Sequence, residues 1–340
     1  MGATSPEDSN RSPRLAVVGA GVAGLVCARE LAARGLRATV FERSSAVGGR
    51  LFALSTDGGS FDAGAQYLTV QNESFADEVR HWVGADLLRT WDANLAELSN
   101  GQGTMLAPST TRFVGVPSMQ ALGAYLARGL QVVLDTVVAR IARQGGRWLL
   151  CDGAGVCLDE AGFDGLVLAM PSVEALPLLR GQAAFAPRLE ALRWDACWTA
   201  CVGLSRPSGI EFDGAFINDD PILSWAARET SKPMRRCGQG VAERWLLQAR
   251  PSWSNNFAEL SHEEAARWMQ RAFAARLARP LAQKTCVALR WHAAAPAEPL
   301  DEAYLWDPER AVGVAGDWCG GARIESAFLS GLALARAIAP

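Results

Sequence analysis

Three glycines near the start of the chain have the spacing of a turn that holds phosphate groups. Gly19, Gly21 and Gly24 form a Gly-x-Gly-x-x-Gly pattern, and a carboxylate, Glu42, follows 18 residues after the last of them. In such a turn the first glycine permits a tight bend, and the second lets a pyrophosphate approach the backbone. The third lets a helix pack closely on a strand. A carboxylate about 20 residues further on can bind ribose hydroxyls, so the pattern predicts a dinucleotide site.

The segments around these residues must position them. We predict a buried strand over 15–18, a helix over 22–33 and a second strand over 38–41, which ends at Glu42. Gly35 is expected to take the left-handed conformation that ends the helix. The N-terminus of the helix would offer its free N–H groups and positive dipole end to the phosphates. The alternative is a glycine-rich turn in an unrelated α/β protein.

Further elements follow from hydrophobic periodicity and capping residues. Residues 84–112 are expected to be loops or an edge strand. The predicted helices span 74–83, 117–128 with Ser118 as cap, 259–277 with a Ser261–Glu264 capping box, and 325–338. The predicted strands span 130–141, 147–151, 164–171 with a small-residue turn at its end, 197–204, 223–228, 241–248 and 312–317, which ends in Gly-Asp.

The order of these elements predicts an α/β (α+β) fold with two domains. A Rossmann-type dinucleotide domain is expected to be discontinuous, because its signals lie at both ends of the chain. We assign it residues 14–75, 129–185 and 300–340. A second domain of mixed sheet and helices, over 76–128 and 186–299, would carry the substrate site. Residues 1–13 are expected to be a disordered tail.

Composition narrows the function classes. The 340 residues are 49% hydrophobic and carry a net charge of −3, which gives no indication of binding to nucleic acid or to an anionic membrane. No apolar run approaches the roughly 18 residues of a membrane span, and the first 13 residues lack the apolar core of a signal peptide. Eight scattered cysteines and three distant histidines argue against a metal site and favour reduced thiols in a cytoplasmic protein.

Together these motifs resemble the flavin-containing amine oxidase superfamily, and within it the renalase-like branch, especially its bacterial members. The resemblance covers about residues 14–338. Besides the glycine turn and Glu42, the matching stretches are Gly48-Gly49-Arg50, Asp62-Ala63-Gly64-Ala65-Gln66-Tyr67, Val116-Pro117-Ser118-Met119, Ser231-Lys232-Pro233, Ser252-Trp253-Ser254, Arg290-Trp291, Gly316-Asp317-Trp318-Cys319, Arg323-Ile324-Glu325 and Ala327-Phe328-Leu329-Ser330-Gly331.

The resemblance implies non-covalent FAD. Asp317 would hold the ribityl chain, and Val138 would lie on the adenine side. Ile324, at the start of the last helix, would direct its backbone N–H at the flavin ring. Cys319 is expected to be a packed thiol rather than a covalent flavin link. The full set of implied cofactor-binding residues is Gly19, Gly21, Gly24, Glu42, Arg43, Gly49, Arg50, Ala65, Gln66, Val138, Gly316, Asp317 and Ile324.

The resemblance also implies a reaction. Renalase-like enzymes oxidise dihydronicotinamide isomers reduced at the 2 or 6 position: a hydride passes to flavin N5, and dioxygen then reoxidises the flavin and gives hydrogen peroxide. Tyr67 and Trp291 would form walls of the substrate site, with a packed core aromatic as the alternative for each. Gln248 stands where bacterial relatives tend to have a histidine near the substrate. No catalytic base is evident.

Arg323 argues against an amine substrate, because amine-oxidising relatives carry an aromatic residue before the last helix. A cation there would repel a protonated amine and favour an anionic substrate, unless it forms a structural ion pair with Glu325 or Asp317. Amine oxidases usually use a lysine to hold a water at flavin N5. Lys232 lies in a loop-like Ser-Lys-Pro and Lys284 has no supporting motif, so neither is expected to be a supported lysine of that kind. Two alternatives stay open: an amine oxidase or desaturase on another small substrate, and a protein that binds FAD without turnover.

Overall fold

The computed structural model describes residues 12–99, 102–278 and 280–340, so the predicted tail lies outside the described residues except for Ser12 and Pro13. The α-helices in the described part are α1 Val22–Ala33, α2 Glu73–Gly84, α3 Gln120–Leu126, α4 Ser172–Leu179, α5 Ala186–Glu190, α6 Pro251–Asn256, α7 His262–Arg276 and α8 Ile324–Ile338. The strands are β1 Arg14–Val18, β2 Arg37–Phe41, β3 Ala53–Thr56, β4 Gly59–Asp62, β5 Leu88–Thr90, β6 Leu95–Ser99, β7 Gln102–Met105, β8 Phe113–Gly115, β9 Gln131–Val133, β10 Arg140–Gln144, β11 Arg147–Cys151, β12 Gly165–Leu168, β13 Trp194–Leu204, β14 Gly214–Ile217, β15 Leu223–Arg228, β16 Glu243–Ala249, β17 Gln283–Pro296, β18 Leu305–Asp307 and β19 Val312–Val314.

The chain forms two compact units, each assembled from separated segments. The first unit comprises the described residues of 1–49, 126–192 and 298–340, and the second comprises 50–125 and 193–297. Residues 50–75, which sequence analysis assigns to the dinucleotide domain, lie in the second unit.

The first unit is built on a six-stranded sheet in the order β18-β19-β12-β1-β2-β9, with β18 antiparallel and the other strands parallel. Residues 15–18 of β1 are all buried, as expected for a central parallel strand covered on both faces. The chain continues to β2 on one side of β1, while β12 lies on the other. Ligands of such sheets bind at this reversal, beyond the carboxyl ends of the strands.

The second unit is built on a seven-stranded sheet in the order β17-β13-β16-β15-β14-β6-β7, in which only the β14–β6 pair is parallel. One face packs against α7, where Trp198 and Leu247 of the sheet share a core with Met269 and Phe273. The opposite face contributes Leu246 to a smaller cluster with residues of β4 and the segment after it. That second face therefore positions residues 59–67.

The sequence predictions for regular elements are confirmed over 22–33, 147–151 and 223–228, and the capping box of Ser261 and Glu264 is present at the start of α7. The two-domain α/β fold is confirmed as well.

Two predicted elements are wrong in extent. The helix expected over 117–128 begins at Gln120 and ends at Leu126, and Ser118 accepts a hydrogen bond from Ala121 through its backbone carbonyl. The strand expected over 130–141 is interrupted between β9 and β10, because Asp135 has a φ of +51°, which no strand accommodates.

Candidate cofactor and substrate sites

The Gly-x-Gly-x-x-Gly turn of the first unit has the geometry that each glycine was expected to provide. Gly19 has a φ of +104°. A Cβ on Gly24 would lie 2.0 Å from the carbonyl oxygen of Gly19, so the close packing of α1 requires a glycine there. A Cβ on Gly21 would meet nothing within 4 Å. Gly21 therefore faces open space at the N-terminus of α1.

The Gly48-Gly49 turn meets this first turn. The backbone N–H of Gly48 donates to the carbonyl of Ala20 over 2.8 Å. A Cβ on Gly49, whose φ is +54°, would lie 3.3 Å from Cα of Gly21. The two turns thus form one surface of backbone, here called the glycine cradle and defined by Gly19, Gly21, Gly24, Gly48 and Gly49.

Glu42 lies at the edge of the glycine cradle. Its carboxylate is buried and accepts hydrogen bonds from the backbone N–H groups of Ala20 (2.8 Å) and Ser44 (2.9 Å). An ionised carboxylate has about four acceptor positions, so capacity for further donors is left. The carbonyl of Glu42 accepts from the N–H of Thr136, two residues before the buried Val138. Val138 and Glu42 are therefore brought to the same edge.

The C-terminal segment is fixed by three contacts within the first unit. The N–H of Gly316 donates to Oγ of Ser330 in α8 over 2.9 Å, and the indole of Trp318 donates to the carbonyl of Met170 over 3.1 Å. A Cβ on Gly331 of α8 would lie 2.2 Å from the carbonyl oxygen of Ala23 in α1. Asp317 is buried and Ile324 is the first residue of α8, so both predicted residues lie on a segment tied to α1.

Two arginines predicted in this region have carboxylate partners. Arg43 is exposed and pairs with Glu174 over 2.9 Å. Arg323 precedes α8 and pairs with Glu325 over 3.1 Å. This is the ion pair that the sequence offered as the alternative to a substrate role for Arg323.

The glycine cradle suits a pyrophosphate. The first N–H groups of a helix have no intrahelical acceptor, and α1 has no acidic residue in its first turn to repel an anion. The open space at Gly21 lies at this helix end. The residues present therefore fit a dinucleotide cofactor.

In the second unit, residues 62–67 are held by contacts from several strands. The carbonyl of Arg50 accepts from the N–H of Ala65 over 2.9 Å, and a Cβ on Gly64 would lie 2.1 Å from that same carbonyl oxygen. Nε2 of Gln248 donates to the carbonyl of Gly64 over 3.2 Å, and Nε1 of Trp291 donates to the carbonyl of Ala63 over 2.9 Å. Gln248 and Trp291 thus converge on one stretch of backbone.

The side chain of Arg50 is directed at β17 and β13. Its Nη1 donates to the carbonyl of Ala294 over 2.9 Å, and its guanidinium lies 5.4 Å from the ring centroid of Trp194.

Four buried charges, here called the charged cluster, lie beneath this stretch: Asp62, Glu229, Lys232 and Arg235. Their side chains are at most 1% exposed. Asp62 accepts from Arg235 over 2.6 Å, from Lys232 over 3.3 Å and from the N–H of Met119 over 2.8 Å. Lys232 also donates to Glu229. Burial alone would raise the pKa of Asp62, but the charges of Lys232 and Arg235 outweigh it and hold that pKa below its usual range.

Lys232 is therefore not an unsupported loop residue, and that expectation is wrong. Its ammonium group donates to Asp62, Glu229 and Oε1 of Gln66, the last over 3.2 Å, and lies 5.6 Å from the ring centroid of Trp91. Three acceptors use its three N–H donors. The side chain of Gln66, predicted to contact a cofactor, is committed to this network.

An aromatic cluster of Tyr67, Trp91, Phe216 and Trp225 adjoins the charged cluster. The ring of Tyr67 lies 6.2 Å from that of Trp91 and 5.8 Å from that of Trp225, between ring centroids. Phe216 lies 4.8 Å from Trp225. The guanidinium of Arg112 lies 5.2 Å from the ring centroid of Tyr67. Tyr67 is thus part of a partly exposed aromatic surface bordered by two cations, Arg112 and Lys232.

Neither Cys319 nor Cys197 is a nucleophile at neutral pH. Burial raises the pKa of Cys319 to about 12 and that of Cys197, on β13 opposite Trp291, to about 11. A protonated, enclosed Cys319 fits a packed thiol.

Four residues of these clusters were not predicted as site residues from the sequence: Glu229, Arg235, Arg112 and Trp225. One signal was available: Lys232 is one of two lysines among 33 basic residues. In the part of the chain that the structure describes, no helix has the length and apolar character needed to cross a bilayer.

Comparisons with known proteins agree with the fold. A family profile described as NAD(P)-binding Rossmann-like domain matches residues 17–93. The chain is 48% identical over 56 residues to a 4,4'-diapophytoene desaturase of Staphylococcus haemolyticus, and this matched stretch covers 16% of this chain and 11% of that protein. It is 44% identical over 70 residues to the mitochondrial protoporphyrinogen oxidase of Nicotiana tabacum, which covers 20% of this chain and 14% of that one.

The structural likeness extends much further along the chain. The structure of cyclohexylamine oxidase from Brevibacterium oxydans superposes with a TM-score of 0.75 at 14% identity and covers 97% of this chain and 99% of the other. All three named proteins are oxidoreductases, but the sequence matches span only a small part of the two relatives. The chain therefore shares the fold of cyclohexylamine oxidase.

Proposed function

We propose that the chain binds FAD non-covalently in its first unit and is an oxidase of the renalase-like branch. The observation that carries this proposal is the meeting of two glycine turns, with the Cβ position of Gly49 3.3 Å from Cα of Gly21 at the N-terminus of α1. Bound FAD would supply a hydride acceptor and a route for electrons to dioxygen, with hydrogen peroxide as product.

The residues of the first unit would divide the work of holding this group. The glycine cradle and the N-terminus of α1 would bind the pyrophosphate, and the free acceptor positions of Glu42 would bind ribose hydroxyls. Val138 would lie on the adenine side and Asp317 would hold the ribityl chain. The N–H of Ile324, at the N-terminus of α8, would stabilise negative charge on the ring.

We further propose that the substrate is a dihydronicotinamide isomer reduced at the 2 or 6 position. Hydride transfer requires a flat substrate held in place and little acid–base chemistry. Tyr67 and Trp291 would provide the walls. The side chain of Gln248 would orient the substrate through the hydrogen-bonding atoms that its bond to Gly64 leaves available.

The charges around the aromatic cluster support this choice over an amine. Aromatic faces attract cations, yet the faces of Tyr67 and Trp91 already have Arg112 and Lys232 beside them. A protonated amine would be repelled by Arg112, since no carboxylate of the described residues forms an ion pair with it, whereas the charge of Lys232 is balanced by Asp62 and Glu229. The second candidate, an amine oxidase, is favoured by the likeness to cyclohexylamine oxidase and by the buried Lys232. The ammonium of Lys232 is fully engaged, however, and has no donor left to hold a water.

The experiment is anaerobic mixing of the FAD-loaded protein with 2- and 6-dihydro-NAD(P), with ordinary 4-dihydro-NADH as the control and a panel of amines in parallel. We expect loss of visible flavin absorbance with the 2- or 6-isomer, and peroxide on readmission of air. Reduction by amines alone would favour the amine oxidase. A flavin that no small hydride donor reduces would favour binding without turnover.

A further inference from the structure

One partly buried arginine beside the predicted substrate wall has no acidic partner. Nη1 of Arg112 donates to the carbonyl of Thr110 over 3.1 Å, while its Nε is enclosed and has no hydrogen-bond partner. Within the ranges that the structure describes, no carboxylate forms an ion pair with Arg112. Removing a charge from water without a counter-ion is unfavourable. This cation is therefore well placed for an anion from outside the chain.

The backbone fixes Arg112 next to Tyr67. Leu68 and Phe113 exchange two backbone hydrogen bonds, of 2.8 and 2.9 Å, in an antiparallel bridge. Tyr67 and Arg112 are diagonal neighbours across this bridge, and the guanidinium lies 5.2 Å from the ring centroid of Tyr67. Arg112 is only partly buried, so a ligand can reach it. Arg244 makes the contrast clear: it also lacks a carboxylate, but it is fully buried against Phe61, where no ligand has access.

A second unpartnered donor borders the same tyrosine. Nε1 of Trp225 is enclosed and has no hydrogen-bond partner among the described residues, and Trp225 is 6% exposed. Trp225, on β15, is paired with Gln248, a predicted substrate residue on β16. Among the described residues, Tyr67 is thus flanked by a guanidinium that has no carboxylate partner and by an indole N–H that has no acceptor.

We propose that Arg112 binds a phosphate group of the substrate, while the ring of Tyr67 packs against the substrate's flat heterocycle. A guanidinium suits this role because its planar N–H groups match two phosphate oxygens. Lys232 cannot replace it, since its donors are used within the charged cluster. This inference rests on the proposed function, because dihydronicotinamide nucleotides combine a flat ring with phosphates.

The test compares two substrates that differ by one phosphate, the 2- or 6-dihydro isomers of nicotinamide mononucleotide and of nicotinamide riboside. We expect the wild type to have the higher kcat/KM with the mononucleotide. Arg112→Gln should lower kcat/KM for the mononucleotide by roughly tenfold to a hundredfold, because a charge-assisted hydrogen bond to the phosphate is removed. It should change kcat/KM for the riboside little. Arg112→Lys should recover part of the loss. The control, Arg89→Gln, removes an exposed arginine paired with Asp86 and should leave the preference unchanged.

A separate readout distinguishes failure of this inference from failure of the proposed function. Calorimetric titration of FAD-loaded wild type and Arg112→Gln with inorganic pyrophosphate requires no turnover. Binding by the wild type that Arg112→Gln loses would support the anion site even if neither nicotinamide isomer is oxidised. Equal pyrophosphate binding by both proteins, or an unchanged substrate preference in a folded Arg112→Gln, would overturn it.

Discussion

The two units build their candidate sites by opposite means. In the first unit the glycine cradle has no side chains, so backbone N–H groups and the N-terminus of a helix would contact the ligand. In the second unit a charged cluster of four buried side chains and an adjoining aromatic cluster fix residues 62–67. A site of backbone groups is sensitive to added volume, whereas a site held by buried charges is sensitive to any lost partner.

The largest expected effect is in the charged cluster. Lys232→Met would remove one of the two cations that balance the buried carboxylates of Asp62 and Glu229. Removing one partner from a buried charge network costs about 3–5 kcal/mol. We expect that decrease in the free energy of unfolding, measured by urea denaturation of the FAD-loaded protein. Arg267→Met, which removes an exposed partner of Glu263, should change it by less than about 1 kcal/mol. Equal effects of the two substitutions would contradict the account of the cluster.

A smaller loss is expected in the glycine cradle. A Cβ on Gly24 would lie 2.0 Å from the carbonyl oxygen of Gly19, so Gly24→Ala should force α1 away from the turn. Overpacking of this kind costs about 1–3 kcal/mol, and thermal denaturation of the apoprotein measures it. Gly84→Ala, in α2, meets nothing within 4 Å and should cause no comparable loss. If Gly24→Ala were tolerated equally well, the close helix–turn contact would be wrong.

The pH dependence of stability separates the two regions further. The pKa of Asp62 is lowered in the folded state, so its stabilising contribution is present above the unfolded pKa of about 3.9. This contribution is lost as the pH falls through the lower pKa that Asp62 has in the folded state. We expect the unfolding free energy to fall below about pH 4 more steeply in the wild type than in Asp62→Asn. Asp77→Asn, at an exposed pair with Arg80, should keep the wild-type slope.

The smallest effect concerns thiol reactivity. Burial raises the pKa of Cys27 to about 12, and of Cys319 and Cys286 likewise to about 12, whereas Cys237 is exposed. Native protein treated with a thiol reagent at neutral pH should be labelled first at Cys237, as mass spectrometry of the digest would report. Early labelling of Cys319 would contradict its enclosure.

The contrast also explains which features the sequence could predict. The βαβ unit with its glycines is contiguous, so spacing alone predicted it. The charged cluster joins Asp62 to Glu229 and Arg235 across separations of 167 and 173 residues, which no local pattern indicates.

Long-range contacts also explain the errors in extent. The N–H of Met119 is bonded to Asp62, so the last residue before α3 is tied to the cluster and the helix begins only at Gln120. The strand β17 was missed because its 14 residues include four alanines, which favour helices. Pairing with β13 overrides that preference.

The central claim is that the open space at Gly21 receives the pyrophosphate of FAD. The most direct measurement is a titration of the apoprotein with FAD, followed by flavin absorbance and fluorescence, for the wild type, Gly21→Val and the control Gly84→Val. Both glycines face open space, so we expect both variants to fold. Only Gly21→Val should bind FAD more weakly, by at least roughly tenfold, or about 1.4 kcal/mol. A wild type that binds no FAD, or a folded Gly21→Val that binds it as tightly as the wild type, would contradict the account.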